Sequence, residues 1–247
     1  MITADEHDAE AQKFYRDVLG HLQQSSEPFM IGGGFAFYHY TGIRRQTKDL
    51  DIFCKASQCP RLLQFFNDAG YVTEWTDVRW LAKVFSGPHF MDIIFDSPNN
   101  ICSVDDSWYE HAVDAEFHGL PVRIMPAEEL IWCKLYVQNR ERYDGADVNH
   151  LLLHCGKTLD WQRLMRRVDR HWHLLLAQFI LFQFVYPTDY KEILPKEMFD
   201  LLMERARQQY EVSSSVEKIC RGPLIDQTQY AGDVINEHYK AMTIKTI

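Results

Sequence analysis

Apolar residues recur at helical spacing through residues 7–24, where Phe14, Val18, Leu19 and Leu22 fall on one face, and this predicts a first helix. Ser25 to Pro28 break the pattern, and Phe29 to Ile31 read as a short strand entering the turn Gly32-Gly33-Gly34. A second helix is expected from Gly34 to about Gly42, which is placed as its C-cap. Alternation at residues 49–54, Asp49-Leu50-Asp51-Ile52-Phe53-Cys54, predicts a strand. Pro60 opens a helix carrying Leu62, Leu63, Phe65, Phe66 and Ala69, closed by Gly70. Strands are expected near 71–75 and 79–85 and, after the Gly87-Pro88 turn, over Phe90 to Phe95. Residues 96–119 read as irregular with a short helix, and Pro121 to Met125 as a last strand. From Pro126 the pattern is helical, at about 126–139, 144–155, 160–169, 172–186 and 195–210. The expected architecture is α/β: a small mixed sheet of about five strands with flanking helices over residues 1–125, a helical domain over 126–210, and an extended tail over 211–247 containing Ser213-Ser214-Ser215 and Gly222-Pro223.

Two stretches of the first half carry chemistry. Side chains two apart in a strand share a face, so Asp49 and Asp51 project side by side and repel. A divalent metal is the usual remedy. Mg²⁺ suits it, with Mn²⁺ as substitute, because it takes few protein carboxylates and completes its shell with phosphate oxygens and water. Upstream, a glycine turn opening a helix aims backbone N–H groups and the positive end of the helix dipole at one spot, which makes an anion site. A metal clamp beside a phosphate cradle is apparatus for nucleotide chemistry. Asp92 stands alone in the apolar run Phe90 to Phe95, and an unpaired buried carboxylate is expensive. It therefore either pairs with a Lys or Arg or joins the metal site, where it could orient or deprotonate an incoming hydroxyl.

With 46% hydrophobic and 25% charged residues, the 247-residue chain is of the folded class. A net charge of −9 argues against a broad nucleic-acid coat. The six cysteines are scattered without a C-x-x-C pair, as expected of reduced thiols in a cytoplasmic protein. The N-terminus shows no signal peptide, and the longest apolar run, Leu174 to Tyr186, is far short of the roughly 20 residues that span a membrane. His150 with His154, and His171 with His173, lack the companions of a zinc site. Two charge patterns remain: seven acids and no Lys or Arg over residues 92–118, and Arg163, Arg166, Arg167 and Arg170 on one helix face. Each is either a solvated surface or, respectively, a rim for a cationic acceptor and a stripe for an RNA backbone.

Gly33-Gly34 followed by Arg45-x-Thr47-x-Asp49-Leu50-Asp51 resembles the signature of the nucleotidyltransferase superfamily. That superfamily pairs a Gly-Gly or Gly-Ser turn with an Asp-apolar-Asp strand and adds a third carboxylate from a later strand, a position that Asp92 fits. Gly34 stands where many members carry Ser. From Pro126 to Leu151, the pattern P-x-E-x-x-x-x-K and then R-x-x-D-x-x-D is similar to bacterial stand-alone nucleotidyltransferases, the abortive-infection toxin group among them. The resemblance implies a nucleotidyltransferase-like fold with the site between its two parts. It implies Asp49, Asp51 and Asp92 as catalytic metal ligands, and Gly33, Gly34, Arg45, Thr47 and Lys134 on the nucleotide. Arg45 and Lys134 read equally well as surface charges, and Asp144 and Asp147 as a helix cap and an ion pair. The implied reaction is Mg²⁺-dependent transfer of a nucleotidyl group from an NTP, releasing pyrophosphate. A small or compact acceptor is favoured, with tRNA or protein as alternatives. A toxin paired with an antitoxin partner and an inactive nucleotide-binding module are the rival readings.

Overall fold

The chain folds as two units, Met1–Pro126 and Ala127–Ile247, in a computed structural model that describes residues 9–45, 47, 49–212 and 217–242. Lys48, Ser213-Ser214-Ser215 and the first residues of the expected opening helix lie outside the described residues.

The first unit is built on a mixed sheet. Helix α1 (Ala9–Gln24) buries Phe14, Tyr15, Val18, Leu19 and Leu22, the face its apolar spacing predicts. Each such side chain contributes roughly 1.5–3 kcal/mol of transfer free energy. Strand β1 (Met30–Ile31) leads into α2 (Gly33–Thr41), which ends at Gly42 in the left-handed conformation with its N–H on the Tyr38 carbonyl. Then come β2 (Leu50–Phe53), α3 (Cys59–Asp68) with a proline in its first turn, β3 (Val72–Asp77), β4 (Leu81–Ser86) and β5 (His89–Ile94). Helix α4 (Asp106–Glu110), β6 (Val113–Phe117) and β7 (Leu120–Ile124) complete the unit.

The strand order is β3-β4-β5-β2-β1-β7-β6. Strands β2 and β5 are parallel, as are β1 and β7, and the remaining neighbours are antiparallel. Helix α1 packs against β5 and β7, and α3 against β3 and β4. The sheet has seven strands rather than about five, and β6 lies where the sequence reads as irregular. Its sequence, Val-Asp-Ala-Glu-Phe, forms an edge strand in which Val113, Asp114 and Glu116 are exposed. Charged side chains on an edge strand prevent stray pairing and also erase the apolar signal. His118 and Gly119, both at positive φ, make the two-residue turn that joins it to β7.

The second unit is mainly helical: α5 (Ala127–Leu135), α6 (Gly145–Cys155), α7 (Trp161–Val168), α8 (Trp172–Val185), α9 (Tyr190–Ile193) and α10 (Lys196–Glu211). After it come β8 (Ile219–Cys220), α11 (Ala231–Ile235) and β9 (Lys240–Ala241), with β8 and β9 paired in parallel. The Arg140 N–H donates to Asp226 and Leu224 is buried, which fastens this last segment to its unit.

Candidate active site

The first unit brings together three glycines and three acids that are separate in sequence. At the end of β1 the Gly32 N–H donates to the Asp51 carbonyl at 2.9 Å. A Cβ at Gly32 would meet the Phe53 ring and the Met125 sulfur, so only glycine lets the turn lie against β2. Gly33 adopts φ +52°, the left-handed region, and a Cβ there would overlap the Asp51 carboxylate. The glycine is therefore required by the carboxylate itself, a finer reason than the phosphate approach inferred from sequence. Helix α2 starts here. Its first-turn N–H groups have no partner inside the helix, and Gly32 has no side chain to cap them.

Strand register supplies the second half of the arrangement. Asp51 of β2 stands opposite Asp92 of β5, and Asp92 stands opposite Lys83 of β4. The three side chains thus form a row across adjacent strands. Asp49 sits in the bend just before β2 rather than in the ladder. The Thr47 hydroxyl fixes it, lying 2.9 Å from Asp49 Oδ1 and 3.1 Å from its carbonyl oxygen. Thr47 also lies against the turn, with its Cβ 3.3 Å from where a Gly34 Cβ would be. Oxygen atoms of Asp49, Asp51 and Asp92 all come within 4.8 Å of one another, and among the described residues no other group of three or more metal-binding side chains does so.

The electrostatics of this cluster are partly balanced. Asp92 is 8% exposed. Burial pushes its carboxyl above the usual range, Lys83 pulls it back, and the charge of Asp49 adds to the rise. Lys83 Nζ lies 2.5 Å from Asp92 Oδ1 and 4.1 Å from the centroid of the Phe90 ring. Asp92 thus has the lysine partner of the first sequence reading, and it also lies within the acid cluster. Tyr15 on α1 responds to the same field. Burial first, then Asp49 and Asp51, push its hydroxyl up to about 12. Lys83 and Tyr15 are neighbours that sequence reasoning missed, since a lysine in a strand and a tyrosine on an apolar helix face carry no signal alone. Three carboxylates are a hard oxygen donor set, and they fit a divalent cation such as Mg²⁺.

The other expected site residues are placed differently. Arg45 lies in the exposed loop with its guanidinium 5.0 Å from the Phe37 ring centroid. Lys134 belongs to the second unit, where its ammonium is 2.7 Å from Asp144 and 2.8 Å from Asp147. Burial would raise the Asp144 carboxyl, but Arg142 and Lys134 outweigh it and hold it below the usual range. The carboxylate of Asp144 thus serves ion pairs and makes no cap bond to α6.

The arginine stripe is not a single surface. Arg163 and Arg167 turn inward to Glu129, Arg163 also to Glu128, at 2.5–3.0 Å, and Arg167 covers Trp132. The helix ends at Val168, and Asp169, at φ +34°, turns the chain before Arg170. Only Arg166 and Arg170 remain exposed. The acidic stretch is divided too. Asp92 is in the cluster, Asp96 binds Ser97 and Ser103, and Asp106 pairs with Lys55. Asp114 and Glu116 lie on β6, three strands from β2, or roughly 14 Å away.

A mixed sheet whose parallel central strands join two acids to a third, beside a glycine-opened helix, defines a class: the protein is an enzyme of the nucleotidyltransferase superfamily. The particular family follows from the sequence itself. A family model for aminoglycoside-2''-adenylyltransferase matches residues 15–159, more than half of the chain, and the chain belongs to that family. No curated protein matches the chain. Among solved structures, the antibiotic-resistance factor ANT(2'')-Ia is 16% identical with a TM-score of 0.43, over 83% of this chain and 95% of that one. The lincosamide antibiotic adenylyltransferase LnuA, bound to lincomycin, is 16% identical with a TM-score of 0.39, over 58% and 96%. A Helicobacter pylori protein is 16% identical with a TM-score of 0.39, over 83% and 96%. The family assignment rests on the family model and not on these likenesses. Among the described residues no helix is long and apolar enough to cross a membrane.

Proposed function

We propose that the protein transfers a nucleotidyl group from an NTP to a hydroxyl of a compact acceptor, releasing pyrophosphate. The family's description supports ATP as donor and an amino sugar as acceptor. The observation that carries the reading is the cluster of Asp49, Asp51 and Asp92 packed against Gly33 at the start of α2. These three acids would hold Mg²⁺ or Mn²⁺, which when bound offsets phosphate charge and polarises the reacting phosphorus.

The chain's own groups perform the rest. Gly33 and Gly34 offer backbone N–H groups and the positive end of α2 to the triphosphate. Thr47 holds the Asp49 carboxylate in place and, as a neighbour of Gly34, borders the same phosphate position. Arg45 supplies a positive charge from the loop, beside the Phe37 ring. Asp92, with one oxygen held by Lys83, keeps its other oxygen for the cation or for the proton of the acceptor hydroxyl.

The test is incubation of the full chain with ATP labelled on its α-phosphate, Mg²⁺ or Mn²⁺, and a panel of aminoglycosides, with Asp51→Asn as control. Label on an amino sugar in the wild type only is the expected result. Label entering the RNA fraction of a cell extract, and no small molecule, would overturn the compact acceptor. No label transfer with either metal to any acceptor would overturn the activity.

A further inference from the structure

We infer that Lys83 is a positioning residue for the third carboxylate, holding Asp92 in place at the expense of metal affinity. The inference rests on the reading of Asp49, Asp51 and Asp92 as the metal site. Register places Lys83 directly opposite Asp92, and Asp92 directly opposite Asp51. The ammonium is fixed from two sides, by Asp92 Oδ1 at 2.5 Å and by the Phe90 ring at 4.1 Å from its centroid. Phe90 precedes Asp92 by two residues on β5, so both project from the same face of the sheet. The side chains of Lys83 and Asp92 are only 19% and 12% exposed, and water screens this pair little.

The arrangement has two opposed effects. A cation within reach of one metal-binding carboxylate repels a divalent ion at the cluster, so Lys83 weakens metal binding. It also occupies one oxygen of Asp92 and locks the side-chain torsion. Asp92 can then present only its second oxygen, in one orientation, to the cation or to the acceptor hydroxyl. Misplacing a reacting group by about 1 Å costs on the order of 100-fold in rate. A lysine that merely supported the sheet would have neither signature: its removal would loosen metal binding and catalysis together.

The opposite signs make the test. Nucleotide-free full-length protein is titrated with Mn²⁺ at pH 8.5 and free ion is read by electron paramagnetic resonance. Lys83→Met, and Lys83→Gln should the first variant fold poorly, is expected to bind Mn²⁺ about tenfold more tightly than wild type. The same variants should lose about 100-fold in kcat, with KM for ATP within about threefold. Lys83→Arg, which keeps the charge, should hold Mn²⁺ affinity within about threefold of wild type and recover part of kcat. Neutral variants that bind Mn²⁺ no more tightly than wild type, or that keep wild-type kcat, overturn the inference. Wild-type Mn²⁺ binding that survives Asp51→Asn overturns the metal-site reading itself, and the two failures are thereby told apart.

Discussion

Replacing Gly33 by alanine sets two demands on one atom. The residue sits at φ +52°, where a side chain costs about 1–2 kcal/mol. The added Cβ would overlap the Asp51 carboxylate and come within 2.9 Å of the Asp51 Cβ, so rotating the carboxylate away does not clear it. The turn must lift from β2, which strains the Gly32–Asp51 backbone hydrogen bond, worth about 1 kcal/mol. Together these amount to about 3 kcal/mol, or roughly 10 °C in melting temperature for a unit of this size. Gly34→Ala is the matched control. Its Cβ would lie 3.3 Å from the Thr47 Cβ without a left-handed φ, and its stability should stay within about 1 kcal/mol of wild type. Thermal melts and Mn²⁺ titrations of both variants provide the assay. Gly33→Ala should melt early and bind Mn²⁺ at least about tenfold more weakly, because Asp51 is displaced from the cluster. A Gly33→Ala protein that melts within about 2 °C of wild type and binds Mn²⁺ equally well would refute the argument.

Asp51→Asn should abolish nucleotidyl transfer while leaving metal-free stability equal or slightly higher, since it relieves repulsion within the acid cluster; a large drop in the metal-free melt would show the acid to be structural. Arg163→Met should cost about 1.5–3 kcal/mol in urea unfolding, because it takes one of two arginines from the buried Glu129, leaving Arg167, and removes the Arg163 contact to Glu128; a loss under about 1 kcal/mol would contradict this. His171 is held down to about 4 by burial first and then by Arg221 and Arg170, while an unfolded histidine titrates near 6.5. Between those values only the unfolded chain takes up the proton, so its contribution is complete above about pH 6.5 and is lost as pH falls towards about 4. Allowing for partial exposure, the loss is on the order of 2 kcal/mol. His171→Phe should flatten the fall in melting temperature between pH 7.5 and 5, and an unchanged fall would remove His171 as its source.

The two central strands of the site were legible in sequence because local pattern and chemistry coincide there: Asp49-Leu50-Asp51-Ile52 alternates, and Asp92 interrupts an apolar run. The helix at Gly34 was legible too, to within a residue, because glycine marks both of its ends. Strand β6 was hidden by its own acids, which a solvated edge tolerates and which an apolar search discards. Lys83 was hidden for a different reason. Its role depends on which strand lies beside β5, a long-range pairing that no local window contains. The arginines of α7 illustrate the limit of the helical wheel: the spacing is right, but the wheel cannot see Glu128 and Glu129 waiting on α5, nor the helix ending before Arg170.

The pairing of β2 with β5 has a consequence for how the sheet can be assembled. Asp51 matches Asp92, flanked by Leu50 with Met91 and Ile52 with Ile93. A slip of one residue would set each acid against an apolar partner and turn the slipped strand's entire apolar set to the wrong face. The facing acids thus mark the native register. Only the correct alignment gathers the acids where a cation can compensate them, and any ligand that binds the gathered acids stabilises that alignment over its slipped competitors. If the acids hold a cation as proposed, an altered register in an engineered variant would announce itself as lost cation binding before any change in helix content.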